Sequence, residues 1–297
     1  MSYGTTFMAN LTRDQLITLA YKDIGALADG EVLSASLLAD GILKLNLIMR
    51  EIDATGKWLW TEKSTSITLI ANQWVYTTSG GFPSDLRQPD RITYRDDQAD
   101  DWPVEILTRE GYETINNKTQ QGDPAKAWIT ENRAIGQQTL TIWPALATVN
   151  AQSIVTGTDS VVYKCIRSHT ADSTNDPITG ANYQLYWTAG GSGPAVWTSG
   201  TSYTAPQQLL VWYRRPLYEF TAATDNPDMP TQWTRLLEYR LAADLADPMG
   251  SSIETCQKMS AKANAAYSDI FKAARPQTND YHNKAVYMSL CLLLLGL

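Results

Sequence analysis

Two strand-like runs of this chain are separated by a long segment of different composition. Residues 139–144 read Thr-Leu-Thr-Ile-Trp-Pro, and residues 209–216 read Leu-Leu-Val-Trp-Tyr-Arg-Arg-Pro. Both runs are rich in β-branched and aromatic residues and stop at a proline, which is typical of the two strands of a hairpin. Residues 147–207, between them, are rich in Ser, Thr, Gly, Asn, Tyr and Trp. We therefore expect a host fold that carries a small inserted module at a hairpin tip.

The bulk composition is that of a globular protein. The 297 residues are 19% charged and 43% hydrophobic, and this length favours about two domains. The net charge of −7 makes tight binding of duplex DNA unfavourable, because few cations are present to displace counterions. An acidic wall would instead let DNA slide past. The first residues lack the basic and apolar regions of a signal peptide, so none is expected.

Two helices are predicted near the N-terminus. Thr12 and Gln15 have the spacing of a capping box, which starts a helix over residues 13–28. Ser34 can cap a second helix over residues 34–55, in which Gly41 permits close approach of a neighbouring helix. The short turn between them predicts an antiparallel pair.

Two more helices are predicted near the C-terminus. The first covers residues 230–247, with Pro230 in its first turn, and ends at Asp247-Pro248. Ser251 and Glu254 form a second possible capping box by spacing, before a last helix over residues 251–274.

A period of two between the helix pairs predicts a sheet over residues 58–146 and 208–214. Residues 66–70 and 74–78 have the pattern of a hairpin, and residues 127–131 are expected to pair with 139–143. We also predict a strand at 90–95, a short helix at 108–116 and a strand at 209–213 that joins the others after the insertion. The predicted fold class is α+β: a helical bundle of two N-terminal and two C-terminal helices, a central antiparallel β-sheet and a small all-β insertion domain.

A family resemblance is carried by short segments that occur in a characteristic order. They are residues 11–20 with Ile24-Gly25, 46–52 before Trp58-Leu-Trp60, 82–86 (FPSDL), 140–145 (LTIWPA), 212–216 (WYRRP) and Met229-Pro230 before 236–244. In these segments the scaffold, residues 1–146 with 208–275, resembles the head-to-tail adaptor proteins of tailed bacteriophages, also called tail accessory or head-completion proteins.

That resemblance implies a structural virion protein at the head–tail junction, made in the host cytoplasm. Such adaptors form a homo-oligomeric ring of twelve subunits, a dodecamer, below the portal. The ring acts as a connector that extends the DNA channel for genome packaging and ejection and supports tail assembly. The implied partners are the portal protein, a tail nozzle or tube protein, further copies of the chain, and DNA that passes without specific binding.

The chain ends in a polar linker and an apolar tail, residues 276–297. The last thirteen residues read AVYMSLCLLLLGL, whereas a membrane-spanning helix needs about 20. We expect no membrane partner and predict that this tail docks on the portal or a neighbouring subunit, with packing on its own subunit as the alternative. The residues expected to dock are Val286, Tyr287, Met288, Leu290, Leu292, Leu293, Leu294 and Leu295.

The inserted module, residues 147–207, has an aromatic strand pattern at 161–166, 182–188 and 195–203. Tyr163, Cys165, His169 and the pair Tyr186-Trp187 are spaced so that the module is similar, in a permuted or partial order, to the small carbohydrate-binding modules of chitinases. Three roles are open for its rings: core of a tiny domain, stacking on a glycan, or contact with another virion protein. The residues that would make such contacts are Trp187, Trp197 and Tyr203.

Catalytic and metal-binding patterns are missing from the sequence. The three cysteines are far apart and are expected to be reduced thiols, and His169 is expected to be a structural hydrogen-bonding residue. Asp96, Asp97, Asp100 and Asp101 lack the glycine and terminal glutamate of an EF-hand loop, so a solvated acidic turn is expected. We predict no enzyme, no cofactor and no metal. The alternative function is a glycan-binding accessory protein, and a more remote one is peptidoglycan cleavage.

Overall fold

The structure, a computed structural model, describes residues 11–55, 59–130, 136–157, 159–191 and 195–273. It is a mixed α and β structure in two compact units. The helical unit comprises Met1–Trp60 and Leu217–Leu297, and the sheet unit comprises Thr61–Pro216. The structure is therefore compatible with the predicted α+β class.

The helices are α1 (Arg13–Asp23), α2 (Ala35–Thr55), the short α3 (Arg109–Glu113) and α4 (Tyr183–Tyr186), α5 (Thr234–Ala246) and α6 (Ile253–Ala273). The strands are β1 (Glu62–Thr68), β2 (Val75–Tyr76), β3 (Gln88–Arg95), β4 (Asp101–Leu107), β5 (Lys126–Ile129), β6 (Leu140–Trp143), β7 (Ile154–Thr156), β8 (Val162–Cys165), β9 (His169–Thr170), β10 (Trp187–Ala189), β11 (Ser202–Tyr203) and β12 (Gln208–Arg214).

Helix α1 begins as predicted and ends earlier. The capping box is present: the Gln15 N–H donates to Thr12 Oγ1 at 3.4 Å, and the Thr12 N–H donates to Gln15 Oε1 at 3.0 Å. The helix stops at Asp23, five residues before the predicted end. Gly25 adopts φ = 73°, and the next N–H, that of Ala26, donates to the Tyr21 carbonyl at 3.0 Å. This is a Schellman ending, for which glycine is the preferred residue.

Gly41 is the point where α1 and α2 meet. A Cβ atom added there would lie 2.5 Å from Cγ2 of Ile17, which is fully buried. The prediction that this glycine permits close approach of a neighbouring helix is confirmed.

Helix α5 lies at the centre of the helical unit, in contact with α1, α2 and α6. Its inner positions Leu237, Leu241 and Ala242 are fully buried. A 3₁₀ turn at Thr231–Trp233 precedes it, so the regular helix starts four residues later than predicted. Helix α6 is capped by Ser252 rather than Ser251, because the Thr255 N–H donates to Ser252 Oγ at 3.2 Å.

The larger sheet has seven strands in the order β1-β12-β3-β4-β5-β6-β2. All pairs are antiparallel except β4 and β5, so the sheet is mixed rather than the antiparallel sheet predicted. A parallel pair needs a crossover connection, and α3 lies within it. This helix fulfils the prediction for residues 108–116: the Gly111 N–H donates to Thr108 Oγ1 at 3.2 Å and caps it.

Two predicted hairpins are wrong. Strands β6 and β12 flank residues 147–207 but do not pair with each other, since β3, β4 and β5 lie between them. Strands β1 and β2 lie at opposite edges of the sheet. Alternation identifies a strand and its inner face, but it does not specify the partner, because every half-buried strand shows the same period of two. The predicted pairing of β5 with β6 is confirmed.

Two carboxyl groups of the helical unit, those of Asp23 and Glu238, are close enough to affect each other's charge. The carboxyl group of Glu238 on α5 lies close to that of Asp23 at the end of α1. Burial and the neighbouring Asp23 carboxylate raise the pKa of Glu238, and the nearby cations Arg235 and Lys262 oppose this rise. The folded chain therefore holds this proton more tightly than the unfolded chain does.

We expect Gly41→Ala to lower the free energy of unfolding by about 1–3 kcal/mol, because Ile17 is β-branched and cannot move its Cγ2 away cheaply. A loss of stability would identify the close contact, since Gly→Ala at an exposed helix position instead stabilises by about 1 kcal/mol. Urea denaturation measures it, with Ala39→Gly on the exposed face of α2 as control. A stabilised Gly41→Ala variant would contradict the close packing.

We expect the helical unit to lose stability as pH rises from the ordinary glutamate pKa, 4.5, through the raised value, because the folded state must then give up the Glu238 proton. Glu238→Gln removes the titrating carboxyl group and should remove this pH dependence, stabilising the protein at pH 7 by up to about 1 kcal/mol. Thermal melts at several pH values test this. Glu105→Gln, in which the exposed carboxylate lies 4.0 Å from Lys126, serves as control.

Candidate functional site

The predicted docking residues of the tail lie outside the described residues. These are Val286, Tyr287, Met288, Leu290, Leu292, Leu293, Leu294 and Leu295. Helix α6 is described as far as Ala273, so 24 residues of chain follow it. Their docking stays a prediction.

Residues 147–207 contain two small sheets and an apolar cluster. Strands β10, β8 and β7 form one sheet, and β11 pairs with β9 in the other. The predicted strand at 161–166 corresponds to β8, whereas the run at 182–188 is split between the helical turn α4 and β10. The buried members of the cluster are Val155, Cys165, Ala171, Trp187, Tyr203 and Ala205.

Trp187 and Tyr203, two of the predicted contact residues, lie inside this cluster. Their exposed fractions are 2% and 7%. Their rings meet edge to face at 5.1 Å, and the Trp187 Nε1–H donates to the Asn175 carbonyl at 2.7 Å. A ring needs an open face to stack on a sugar. Their burial therefore favours the core interpretation of these two residues.

Trp197, the third predicted contact residue, is half-buried and packs against the edge of the same cluster. Its Nε1 is buried and has no hydrogen-bond partner among the described residues. Of the three predicted rings it is the most accessible to a ligand or a partner protein. It follows Val196, which bridges to Thr156 of β7.

His169 and Cys165 have structural surroundings. His169 Nδ1–H donates to the Arg167 carbonyl at 2.8 Å, and its ring lies 4.6 Å from the ring of Tyr186. The histidine is thus hydrogen bonded through Nδ1, and its structural role stays a prediction. Burial raises the pKa of the Cys165 thiol to about 11, so it is protonated and unreactive at neutral pH. Cys165 and Cys256 are free, as expected, and Cys291 lies outside the described residues.

The acidic turn between β3 and β4 makes local hydrogen bonds. One oxygen of Asp96 accepts from the N–H groups of Gln98 and Asp100, at 2.8 and 3.0 Å, and Asp101 pairs with Arg95 at 2.7 Å. Within the described ranges no group of three or more His, Cys, Asp or Glu residues has the arrangement of a metal site.

The same turn also contacts residues 147–207, which the sequence did not reveal. The Asp97 carboxylate accepts from Asn150 Nδ2 at 3.0 Å, and the Asp97 carbonyl accepts from the Ser168 N–H at 2.7 Å. The prediction of a purely solvated turn is therefore wrong for Asp97. The density of aspartates between two strands signals only local turns such as that of Asp96, so it gave no indication of the contact with Asn150.

Exposed apolar residues lie on α2. Leu43 and Leu47 are 62% and 47% exposed and occupy one face of the helix at a spacing of four. The inner face of the same helix, by contrast, carries the buried Leu45 and Ile48. The sequence signal for this second face was the excess of apolar residues over what one helical face can hold.

Comparison with protein-family models and with curated protein sequences gives no match. In the part of the chain that the structure describes, every helix is too short or too polar to cross a membrane.

We expect Trp187→Ala to destabilise residues 147–207 by about 3–5 kcal/mol, because it leaves a cavity and an unpaired Asn175 carbonyl. Limited proteolysis with mass mapping should show cleavage first within this segment. Leu185→Ala, at a side chain that is 57% exposed, is the control and should be cut like the unaltered chain. Unchanged protection of Trp187→Ala would contradict the core role.

Proposed function

We propose that this protein is a structural virion component, the adaptor that connects the portal of a tailed bacteriophage to the tail. It forms a ring of about twelve copies, in keeping with the family resemblance, and extends the DNA channel. It acts by packing rather than by catalysis, and it uses no cofactor. It is made in the host cytoplasm and incorporated at the head–tail junction.

One observation carries the proposal: the helices that precede and follow the sheet segment in sequence share one helical unit. Residues 11–60 and 217–273 share a single core, which includes Leu16, Leu45, Trp233 and Leu241. This order of helix pair, sheet and helix pair is the order expected for the adaptor family. We propose accordingly that the fold is a four-helix bundle with a central sheet and with residues 147–207 as an inserted, mainly β module that includes the short α4.

The charge of the chain supports the same role. The net charge of −7 and the acidic surplus of residues 58–146 disfavour adhesion of DNA. A channel wall must let the genome pass in both directions, so weak interaction with DNA is an advantage there.

We assign residues 147–207 a packing or partner-contact role. Burial of Trp187 and Tyr203 leaves Trp197 as the most accessible of the three predicted contact rings. A glycan-binding accessory protein is the alternative, and a glycan array with Trp197→Ala as the matched variant separates the two. Binding that depends on Trp197 would favour the alternative.

The direct test is assembly on the portal. Mixing the full chain with the portal protein of the same virus should give a complex of defined ring symmetry by electron microscopy. Deleting residues 285–297 should abolish attachment, because the apolar side chains that dock are lost, while circular dichroism of the variant stays unchanged.

The control deletes residues 277–282 of the polar linker and keeps the tail, and this variant should still attach. Normal attachment without residues 285–297 would contradict tail docking. A full chain that stays monomeric in the presence of portal would contradict the adaptor function itself.

A further inference from the structure

We propose that neighbouring copies of this chain join through helix α2 of one copy and helix α6 of the next, with Leu43 and Leu47 seated on Ala261 and Ala265. The inference rests on the proposed ring and identifies the surface that would build it. The occupant of the exposed α2 face is thus a second copy of the same chain.

The exposed face of α2 has the anatomy of an interface. Its centre is apolar, with Ala39 beside the exposed Leu43 and Leu47. At its margins Arg50 pairs with Glu219 at 2.7 Å and Glu51 pairs with Arg240 at 3.2 Å. These rim charges are satisfied inside the subunit, so the apolar centre can be covered at little electrostatic cost. A centre that is poor in charged residues and is surrounded by a polar rim is typical of protein–protein contacts.

The outer face of α6 is complementary in size. Met259, Ala263 and Ile270 face the core, and Ala261 and Ala265 lie on the opposite, exposed side. Small side chains let a partner helix approach closely and leave room for leucines to insert between successive turns.

Charge supplies a second and independent match. Asp40, Leu43 and Leu47 are spaced by three and four residues, and so are Lys258, Ala261 and Ala265. Parallel pairing in this register places Asp40 opposite Lys258 while each leucine meets an alanine. Both charged residues are exposed, and neither takes part in an ion pair within the described part of the subunit.

The helix directions satisfy the geometry of a ring. Helix α2 runs antiparallel to α5, because Glu51 pairs with Arg240 and the earlier Lys44 donates to the carbonyl of the later Asp244 at 2.7 Å.

Helix α6 is also antiparallel to α5. The chain turns back through residues 247–252, α6 reaches the turn that precedes α5, and Lys262 lies 4.8 Å from the ring of Tyr239. Helices α2 and α6 are therefore parallel. Rotation about an axis that lies along the helices preserves direction, so α2 of one copy is also parallel to α6 of the next. Pairing of two different faces closes into a ring when the rotation from one copy to the next divides a full turn.

Cysteine cross-linking tests the pairing in the full-length chain. In a Cys256→Ser/Cys291→Ser background, mild oxidation of the double variant Leu47→Cys/Ala265→Cys should give a ladder of cross-linked oligomers, because every subunit then carries both halves of the contact. Each single variant should give no ladder, and a mixture of the two singles should stop at dimers.

The matched control is the double variant Ala265→Cys/Val32→Cys. The Val32 side chain is 87% exposed in the unaltered chain, but it lies more than a dozen residues before Leu47 and therefore outside the proposed contact. This double variant should stay uncross-linked. Reversing one charge by Asp40→Lys should reduce the cross-linked fraction at least severalfold, and adding Lys258→Asp should restore it.

The outcomes separate this inference from the proposed function. Disulfide-linked dimers of the single variant Leu47→Cys would indicate that two α2 helices meet, and would overturn the pairing. If the double variant forms a portal-bound ring without cross-links between positions 47 and 265, the pairing is overturned and the adaptor function stands. Cross-linked ladders from a chain that never binds portal would support the pairing and contradict the adaptor function.

Discussion

The burial of α5 is the interaction on which the helical unit depends. Leu237 and Leu241 on this helix are fully buried, and Trp233 just before it packs at 5.3 Å against the ring of Trp60. Helices from both ends of the chain contact α5, so its apolar surface supplies their shared core. Each fully buried leucine contributes about 1.5–3 kcal/mol. Contacts with α5 therefore join α1 and α2 to α6 in one helical unit.

Local signals predicted the elements better than their partners. The capping box of α1 and the proline after Asp247 act within a few residues, and so the sequence reveals them directly. Strand pairing depends on the whole sheet. The run that became β12 shows its inner face by the alternation of Leu209, Val211 and Tyr213, but nothing in that run specifies that β1 and β3 are its neighbours. For the same reason, the hairpin expected between β6 and β12 did not form.

In residues 147–207, too, the sequence identifies the notable residues but not what they contact. The sequence identified Trp187, Trp197 and Tyr203 as the notable rings, but composition alone does not separate a core ring from a binding ring. That distinction depends on accessibility, which the packing of residues 165–205 decides. The link between Asp97 and Asn150 is likewise non-local, since 53 residues separate the two positions.

The exposed leucines of α2 connect the stability of one subunit to its assembly. If all apolar residues of α2 faced inward, the subunit would be stable as a monomer but would offer no apolar surface on this helix for assembly. Leu43 and Leu47 lie outside the core and contribute little to it, so their retention is a cost in solubility unless another surface covers them. Covering them with the α6 face of the next copy would leave a further α2 face open at each step. Such an interface stops exposing apolar surface only when the ring closes.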